Sequence, residues 1–504
     1  MPPDARTPVI VGVGQLVRRP SGPEPGADEV AALSEPVEMM AEAARAAATD
    51  SGAHLDLLAR AASVQVVSLL SWVYLNPAAL LAERIGARPA ETVLSSTGGN
   101  SPQMLVDRTA AAIARGELDV AVIAGAEAVY ARVLARRANA PLAWTQQPPD
   151  TARPLTVGED RPGHSDAEAA ATLVLPVQFY PLFENALRAA ADETIDEHQA
   201  KVAGLWSRFS QVAAANPYAW SPEARSADEI ATVGPDNRMI GFPYPKLMNA
   251  NIQTDQAAAL IVCSVEAARS AGVPEERWVF PWAGAGAHDH WHVTERHDLS
   301  SSPAIRLAGR ALFEAAGASI GDVAHVDLYS CFPSAVQIGA AALGLGTDEP
   351  DRPLTVTGGL TFAGGPGNNY VTHSIAAMCE ALRRDPGSLG LVTALGWYLT
   401  KHALGLYSTE PPPAGYRSVS AQAEVDALPA RVVATDAEGP ATVETYTVLH
   451  ERDGSPANGI VCCLLPDGRR AVATVSDPPT LLGLEKEEGC GRPVVIRQGQ
   501  AEIS

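Results

Sequence analysis

Cysteine is scarce in this chain. Six occur in 504 residues: Cys263, Cys331, Cys379, Cys462, Cys463 and Cys490. None forms a Cys-x-x-Cys pair, so the thiolate pairs of a zinc ribbon are missing. Six are also far too few for a disulfide scaffold. Long apolar runs are missing as well. No stretch approaches the ~20 apolar residues of a membrane-spanning helix, so no membrane association is expected. The opening Met1-Pro2-Pro3-Asp4-Ala5-Arg6 has neither the apolar core nor the cleavage site of a secretory leader. A reducing, cytoplasmic setting is the expectation. Positive charge is the third shortage. Lys and Arg number 37 against 58 Asp and Glu, a formal net charge of −21. Nucleic-acid affinity rests on basic residues neutralising phosphates, so no nucleic-acid partner is expected. A phosphate-bearing ligand would need a local basic pocket.

Apolar residues, by contrast, are plentiful. The hydrophobic fraction is 46% and the charged fraction 19%, enough to bury cores rather than stay disordered. One core stops growing near ~250–300 residues, so more than one unit is expected.

The first residues read as an alternating α/β pattern. Val9 to Gly14 is a short apolar run closed by glycines, and Ser63 to Leu70, Glu91 to Ser95 and Val120 to Gly125 are further strand signals. Between them Val37–Ala48, Ala78–Ile85 and Gln103–Arg115 carry helical periodicity. Strands alternating with helices predict a two-sided α/β sheet. From about residue 130 to 248 the rhythm breaks, and Leu182 to Gln211 reads as part of a mostly helical inserted lid. Gln256 to Ser270 is helical or a strand followed by a helix. After Pro274 the rhythm restarts, so the second half reads as a repeat of the first. Pro411-Pro412-Pro413-Ala414-Gly415 is a linker. Beyond it Thr442 to Val448 alternates with period two, and Pro466-Asp467-Gly468 is a hairpin turn, which predicts a small β-domain.

Several local sequences then resemble the thiolase superfamily, in particular its sterol-carrier-protein-thiolase-like branch and the mycobacterial type 1 thiolase-like proteins, which carry an extra C-terminal domain. They are Ile113 to Glu127, Asn249-Ala250-Asn251 with Asp255 to Ala259, Tyr329-Ser330-Cys331-Phe332, and Gly364-Gly365-Pro366. The resemblance implies an α/β fold: the duplicated, layered αβαβα thiolase fold with a helical lid insertion. Residues 417–504 resemble an OB-like all-β domain. The implied division is 1–129 with 249–272, a lid at 130–248, 273–409, a linker at 410–416, and 417–504. The resemblance also implies an acyl-coenzyme A thioester as substrate or ligand, no resident cofactor or metal, and a possible homodimer.

The departures from the family bear on chemistry. Thiolases attack a thioester with a cysteine, which a histidine activates and a second cysteine assists. Aligned without gaps, the nucleophile position falls on Gly99, the activating histidine on Gly365, the second cysteine on Leu395, and the oxyanion-positioning residue on Tyr329. Neither glycine nor leucine can form an acyl-enzyme, so cysteine-based thiolysis is not expected. Tyr329 reads either as a donor to a thioester oxygen or as a core-edge tyrosine. Cys331 reads as a packed small hydrophobe rather than a nucleophile. Tyr370 and His373 open a helix after a glycine-rich turn, where a donor and a displaced base would suit developing negative charge; the other reading is structural. His288-Asp289-His290-Trp291-His292 has three alternating histidines but reads as a loop, because three adjacent ligands rarely close a tetrahedral site. Lys401 and His402 either face the site beyond Gly396 or lie on the surface. For coenzyme A, Asn251 stands where the family's serine meets the pantetheine arm. The basic candidates in the lid are Arg188, Lys201, Arg208, Arg238 and Lys246.

Three functions follow from the resemblance: an acyl-CoA-handling protein of the acetyl-CoA acyltransferase family without its cysteines, a retro-aldol lyase acting on a β-hydroxyacyl-CoA through Tyr329 and Tyr370, or a non-enzymatic acyl-CoA binder.

Overall fold

The computed structural model describes residues 3–19, 30, 33–349 and 352–503. Two sheets organise the body. The first runs in the order Pro8–Val17, Asp255–Ser264, Val120–Ala128, Ser63–Val66, Glu91–Ser95 and Leu155–Val157. Every residue of Val120–Ala128 is buried, as expected for a central strand covered on both faces. The second sheet runs Val323–Asp327, Leu389–Gly396, Lys401–Ser408, Phe280–His288 and Arg417–Ser420.

Helices Ser101–Ala114 and Tyr370–Arg384 lie between the two sheets and touch both. Helix Pro36–Ser51 covers the outer face of the first sheet and helix Pro303–Ala316 that of the second. The result is the expected αβαβα layering. Local chemistry marks the ends of these helices. Pro36 opens its helix, where a missing N–H costs nothing, and Gly52 closes it at φ 62°, a conformation costly for a side chain. Ser302 caps the N-terminus of Pro303–Ala316 through its hydroxyl.

The C-terminal residues form a closed five-stranded barrel, with strands in the order Pro456–Leu464, Arg470–Val475, Gln500–Ile503, Pro493–Arg497 and Gly439–His450, the last pairing back with the first. This is the OB-like domain, with its own core around Tyr446, Val448 and Val461.

The inserted segment is the mostly helical lid expected, with short strands added. It holds the helices Pro176–Ala190 and Ile195–Ala215, and it also gives strands to two sheets. Leu155–Val157 pairs with the edge of the first sheet, and Met239–Gly241 pairs with the barrel strand Gly439–His450. Arg417–Ser420, expected in the C-terminal domain, pairs with Phe280–His288 of the body. Sequence periodicity marks a strand but not its partner, which for Met239–Gly241 and Arg417–Ser420 lies more than a hundred residues away. Among the described residues no helix is long and apolar enough to cross a membrane.

Candidate functional site

Strand Glu91–Ser95 ends in a Gly98–Gly99 loop that leads into the central helix Ser101–Ala114. Gly98 has φ +145° and donates its N–H to Asn368 Oδ1 at 3.0 Å. Gly99 is the key position. A β-carbon there would fall on the Tyr329 hydroxyl, 2.8 Å from Tyr329 Cζ and 2.5 Å from the Leu395 carbonyl oxygen. A β-carbon does not approach non-bonded atoms so closely, so tyrosine fills the space a residue-99 side chain would need. Gly99, Tyr329 and the backbone of Leu395 therefore meet. Leu395 is buried and lines, with Tyr329 and His402, a cavity of about 10 Å3. Gly365 stands apart from them, its N–H donating to the Asn251 carbonyl at 2.8 Å.

Tyr329 is buried, and its backbone N–H donates to Thr393 Oγ1 at 2.8 Å. Burial first, then the neighbouring Cys331 and Tyr370, pushes its hydroxyl well above the usual tyrosine range, so it stays protonated. The Tyr329 and Tyr370 rings meet edge to face at 5.6 Å. Their hydroxyls part company. That of Tyr370 lies 2.5 Å from Thr357 Oγ1 and 3.4 Å from Asp327 Oδ2, inside a buried network. Cys331 is buried and its thiol is pushed up to about 12 by desolvation, so it is no nucleophile at neutral pH. His373 faces a different cavity of about 10 Å3, lined also by Gln15, Gln256 and Tyr370. Its Nδ1 pairs with Gln15 Oε1 at 2.9 Å, and burial pulls its pKa down to about 3, so it is a neutral and weak base.

Lys401 and His402, for which a surface position was one reading, are 5% and 4% exposed. Lys401 Nζ donates to the Thr97 carbonyl at 2.5 Å and to the Glu159 carbonyl at 3.2 Å, which ties the glycine loop to the segment after Leu155–Val157. Burial draws the Lys401 ammonium down to about 8. His402 Nε2 lies 3.2 Å from Asp289 Oδ2. The signal in the sequence was a Lys-His pair inside an otherwise apolar strand. Tyr180 was missed entirely: its ring stacks on Phe332 at 4.3 Å and its hydroxyl donates to the Trp397 carbonyl at 3.1 Å.

Strand Phe280–His288 ends at the first of the three clustered histidines. Asp289 then turns inward to accept from Ser302 Oγ and from Ala304 N–H at 3.0 Å. No group of three or more His, Cys, Asp or Glu that could hold a metal ion gathers among the described residues.

The basic lid residues scatter. Arg188 is 1% exposed and bonds Glu488 and the Tyr446 hydroxyl, so it does not present its charge to a phosphate. Lys201 pairs with Glu193, and Arg208 donates to the Thr347 carbonyl. Arg238 donates to the carbonyls of Met239 and Glu451. Lys246 is exposed on a short 3-10 turn. Asn251 is half-buried, and its side-chain oxygen accepts from Gln253 N–H at 3.1 Å.

Two facing α/β halves with paired central helices define the thiolase-like class. The same fold is shared with an acetyl-CoA acetyltransferase from Syntrophomonas wolfei, at 13% identity, TM-score 0.57, over 81% of this chain and 100% of that one. It is shared too with an Ltp2–ChsH2(DUF35) aldolase, at 20% identity, TM-score 0.59, over 80% and 98%. Residues 420–501 match the thiolase-like protein type 1 additional C-terminal domain. A monomeric SCP2-thiolase-like protein type 1 from Mycobacterium smegmatis is 37% identical, with TM-score 0.84, over 99% of each chain. The chain belongs to the SCP2-thiolase-like type 1 family. No curated protein sequence matches it.

Proposed function

We propose that this chain handles acyl-coenzyme A thioesters without forming an acyl-enzyme. One observation carries the reading: the Tyr329 hydroxyl stands in the space of a residue-99 side chain. A thiolase holds its acyl group on a sulfur at that place. Here the group at that place is a protonated phenol, which can donate a hydrogen bond to a thioester oxygen but cannot accept an acyl group at neutral pH. Cys331 offers no substitute, because its thiol is not ionised. The thioester is substrate or ligand, with Asn251 and Lys246 as the proposed contacts to its pantetheine arm and phosphates.

Calorimetric titration with acetyl-CoA tests the reading. The expected result is saturable binding that weakens when Tyr329 is changed to Ala. Absence of heat with acetyl-CoA and with a longer acyl-CoA would remove the coenzyme A assignment.

A second reading, retro-aldol cleavage of a β-hydroxyacyl-CoA, is favoured by the close packing of Tyr329 against Tyr370. The Tyr370 hydroxyl is engaged with Thr357 and Asp327, so in this reading Tyr329 is the donor. Tyr329→Phe should then abolish release of the ketone or aldehyde, and unchanged turnover would sink it.

A further inference from the structure

The site just described is narrow. The cavities that reach Tyr329 and Tyr370 measure about 10 Å3 each, the size of one water. An acyl group does not fit such spaces as they stand, and one helix of the lid spans the distance from this site to the C-terminal barrel.

Helix Pro176–Ala190 carries Tyr180, Glu184 and Arg188 at four-residue steps, so all three project from one face. Each grips a different part of the molecule. Tyr180 lies over the turn beside Tyr329: it stacks on Phe332, and its hydroxyl accepts from Leu399 N–H at 3.1 Å. Arg188 reaches the C-terminal barrel at Glu488 and Tyr446. Glu184 sits between them and is 1% exposed.

The Glu184 carboxylate receives donors from three sides. Gln337 Nε2 approaches at 2.6 Å, His198 Nε2 at 2.5 Å, and the Tyr244 hydroxyl completes the set. The other ring nitrogen of His198, Nδ1, lies 2.6 Å from Glu193 Oε2. An ionised carboxylate only accepts, so against two of them both ring nitrogens donate. Imidazolium is the one form of histidine with two N–H groups.

We propose that helix Pro176–Ala190 is the gate over the Tyr329–Phe332 turn, and that the His198 imidazolium, clasped between Glu184 and Glu193, is its latch. Loss of the proton would turn a donor into a lone pair aimed at a carboxylate and leave Glu184 short of a partner where water does not reach. That penalty favours release of the helix. The proposal rests on the preceding reading only in placing a thioester under this helix.

The charged and titratable neighbours fit this assignment. Lys201, on the helix that carries His198, pairs with Glu193 at 3.0 Å. Glu197 on the same helix is turned back to cap Thr194. Glu184 and Glu193 bond the imidazole directly, and the Tyr244 hydroxyl is linked to it only through Glu184. Burial alone pulls the imidazole pKa down, but the hydrogen bonds and charges of Glu184 and Glu193 outweigh it and hold it above the usual histidine value. A histidine raised in the folded state contributes fully at pH below its unfolded value, and the contribution is lost as pH rises through the folded value. The latch is therefore closed in mild acid and opens on the alkaline side.

Hydrogen exchange followed by mass spectrometry on the ligand-free full chain tests this. Protection of peptides covering residues 177–190 and 329–337, corrected for intrinsic exchange, should fall together as pH rises from mildly acidic to mildly alkaline. Glu193→Gln, a change at a partly exposed residue, should move that fall to lower pH. A profile flat in pH, or one that Glu193→Gln leaves in place, would overturn the proposal. Side-chain nitrogen NMR of His198 gives an independent readout. Two protonated ring nitrogens in mild acid are expected, and a neutral tautomer there would contradict the latch. No acyl-CoA enters either measurement, so both stand apart from the test of thioester binding.

Discussion

The Tyr329 hydroxyl occupies the place of a β-carbon on residue 99, with the Leu395 carbonyl 2.5 Å from the same point. This single overlap joins the degenerate positions 99, 329 and 395. A side chain at 99 could be introduced only by removing the one at 329.

Gly99→Cys is accordingly expected not to restore thiolysis. It should destabilise the chain by about 1–3 kcal/mol, the usual cost of overpacking. Combined with Tyr329→Ala, it should cost less than the sum of the two single changes. Urea unfolding of the two single variants and the double variant checks it: additive costs would mean that the two side chains do not compete for one space.

Native Cys331 is expected to resist iodoacetamide at mildly alkaline pH, because burial pushes its thiol to about 12. Peptide mapping after labelling should find Cys331 modified only in denatured protein. Rapid labelling of the native chain would contradict its assignment as a packed thiol.

Asp107 illustrates a pH effect of opposite origin. It accepts from Gln103 Nε2 at 2.8 Å and the Tyr416 hydroxyl at 3.1 Å, and desolvation raises its carboxyl to about 7. The folded chain then holds a proton that the unfolded chain releases. Stability from this group declines as pH rises from about 4 to about 7. Asp107→Asn keeps an acceptor oxygen and should remove the decline. A stability difference between variant and parent that stays constant with pH would contradict this.

Arg470 anchors the C-terminal barrel to the body. It is fully buried, pairs with Glu444, and donates to the carbonyls of Thr294 and Arg296. Arg470→Ala should cost about 3–5 kcal/mol, as for breaking a buried pair, and split thermal unfolding into two transitions. A single unshifted transition in calorimetry would show that the barrel is held elsewhere.

Much of the fold was legible because buried strands and glycine-ended helices leave short-range marks. Val120–Gly125 and Glu91–Ser95 announce strands by composition alone. Long-range pairing leaves no such mark. That Met239–Gly241 would join a barrel built from residues past 439, or that Arg188 would face Glu488 rather than a phosphate, depends on contacts the chain makes only when folded. The site was half legible. Gly99, Leu395 and Tyr329 do converge, while His373 points into a separate cavity. For Lys401 the sequence left a site-facing and a surface position open, because its carbonyl partners, at Thr97 and Glu159, lie hundreds of positions away in sequence.

The central claim is that this thiolase scaffold carries no acyl group. Intact-protein mass spectrometry after incubation with acetoacetyl-CoA tests it most directly. An unchanged protein mass, with no coenzyme A-dependent loss of the ketoacyl thioester, is the expected result. A mass increase of one acetyl or acetoacetyl group, mapped to any cysteine of the chain, would contradict it.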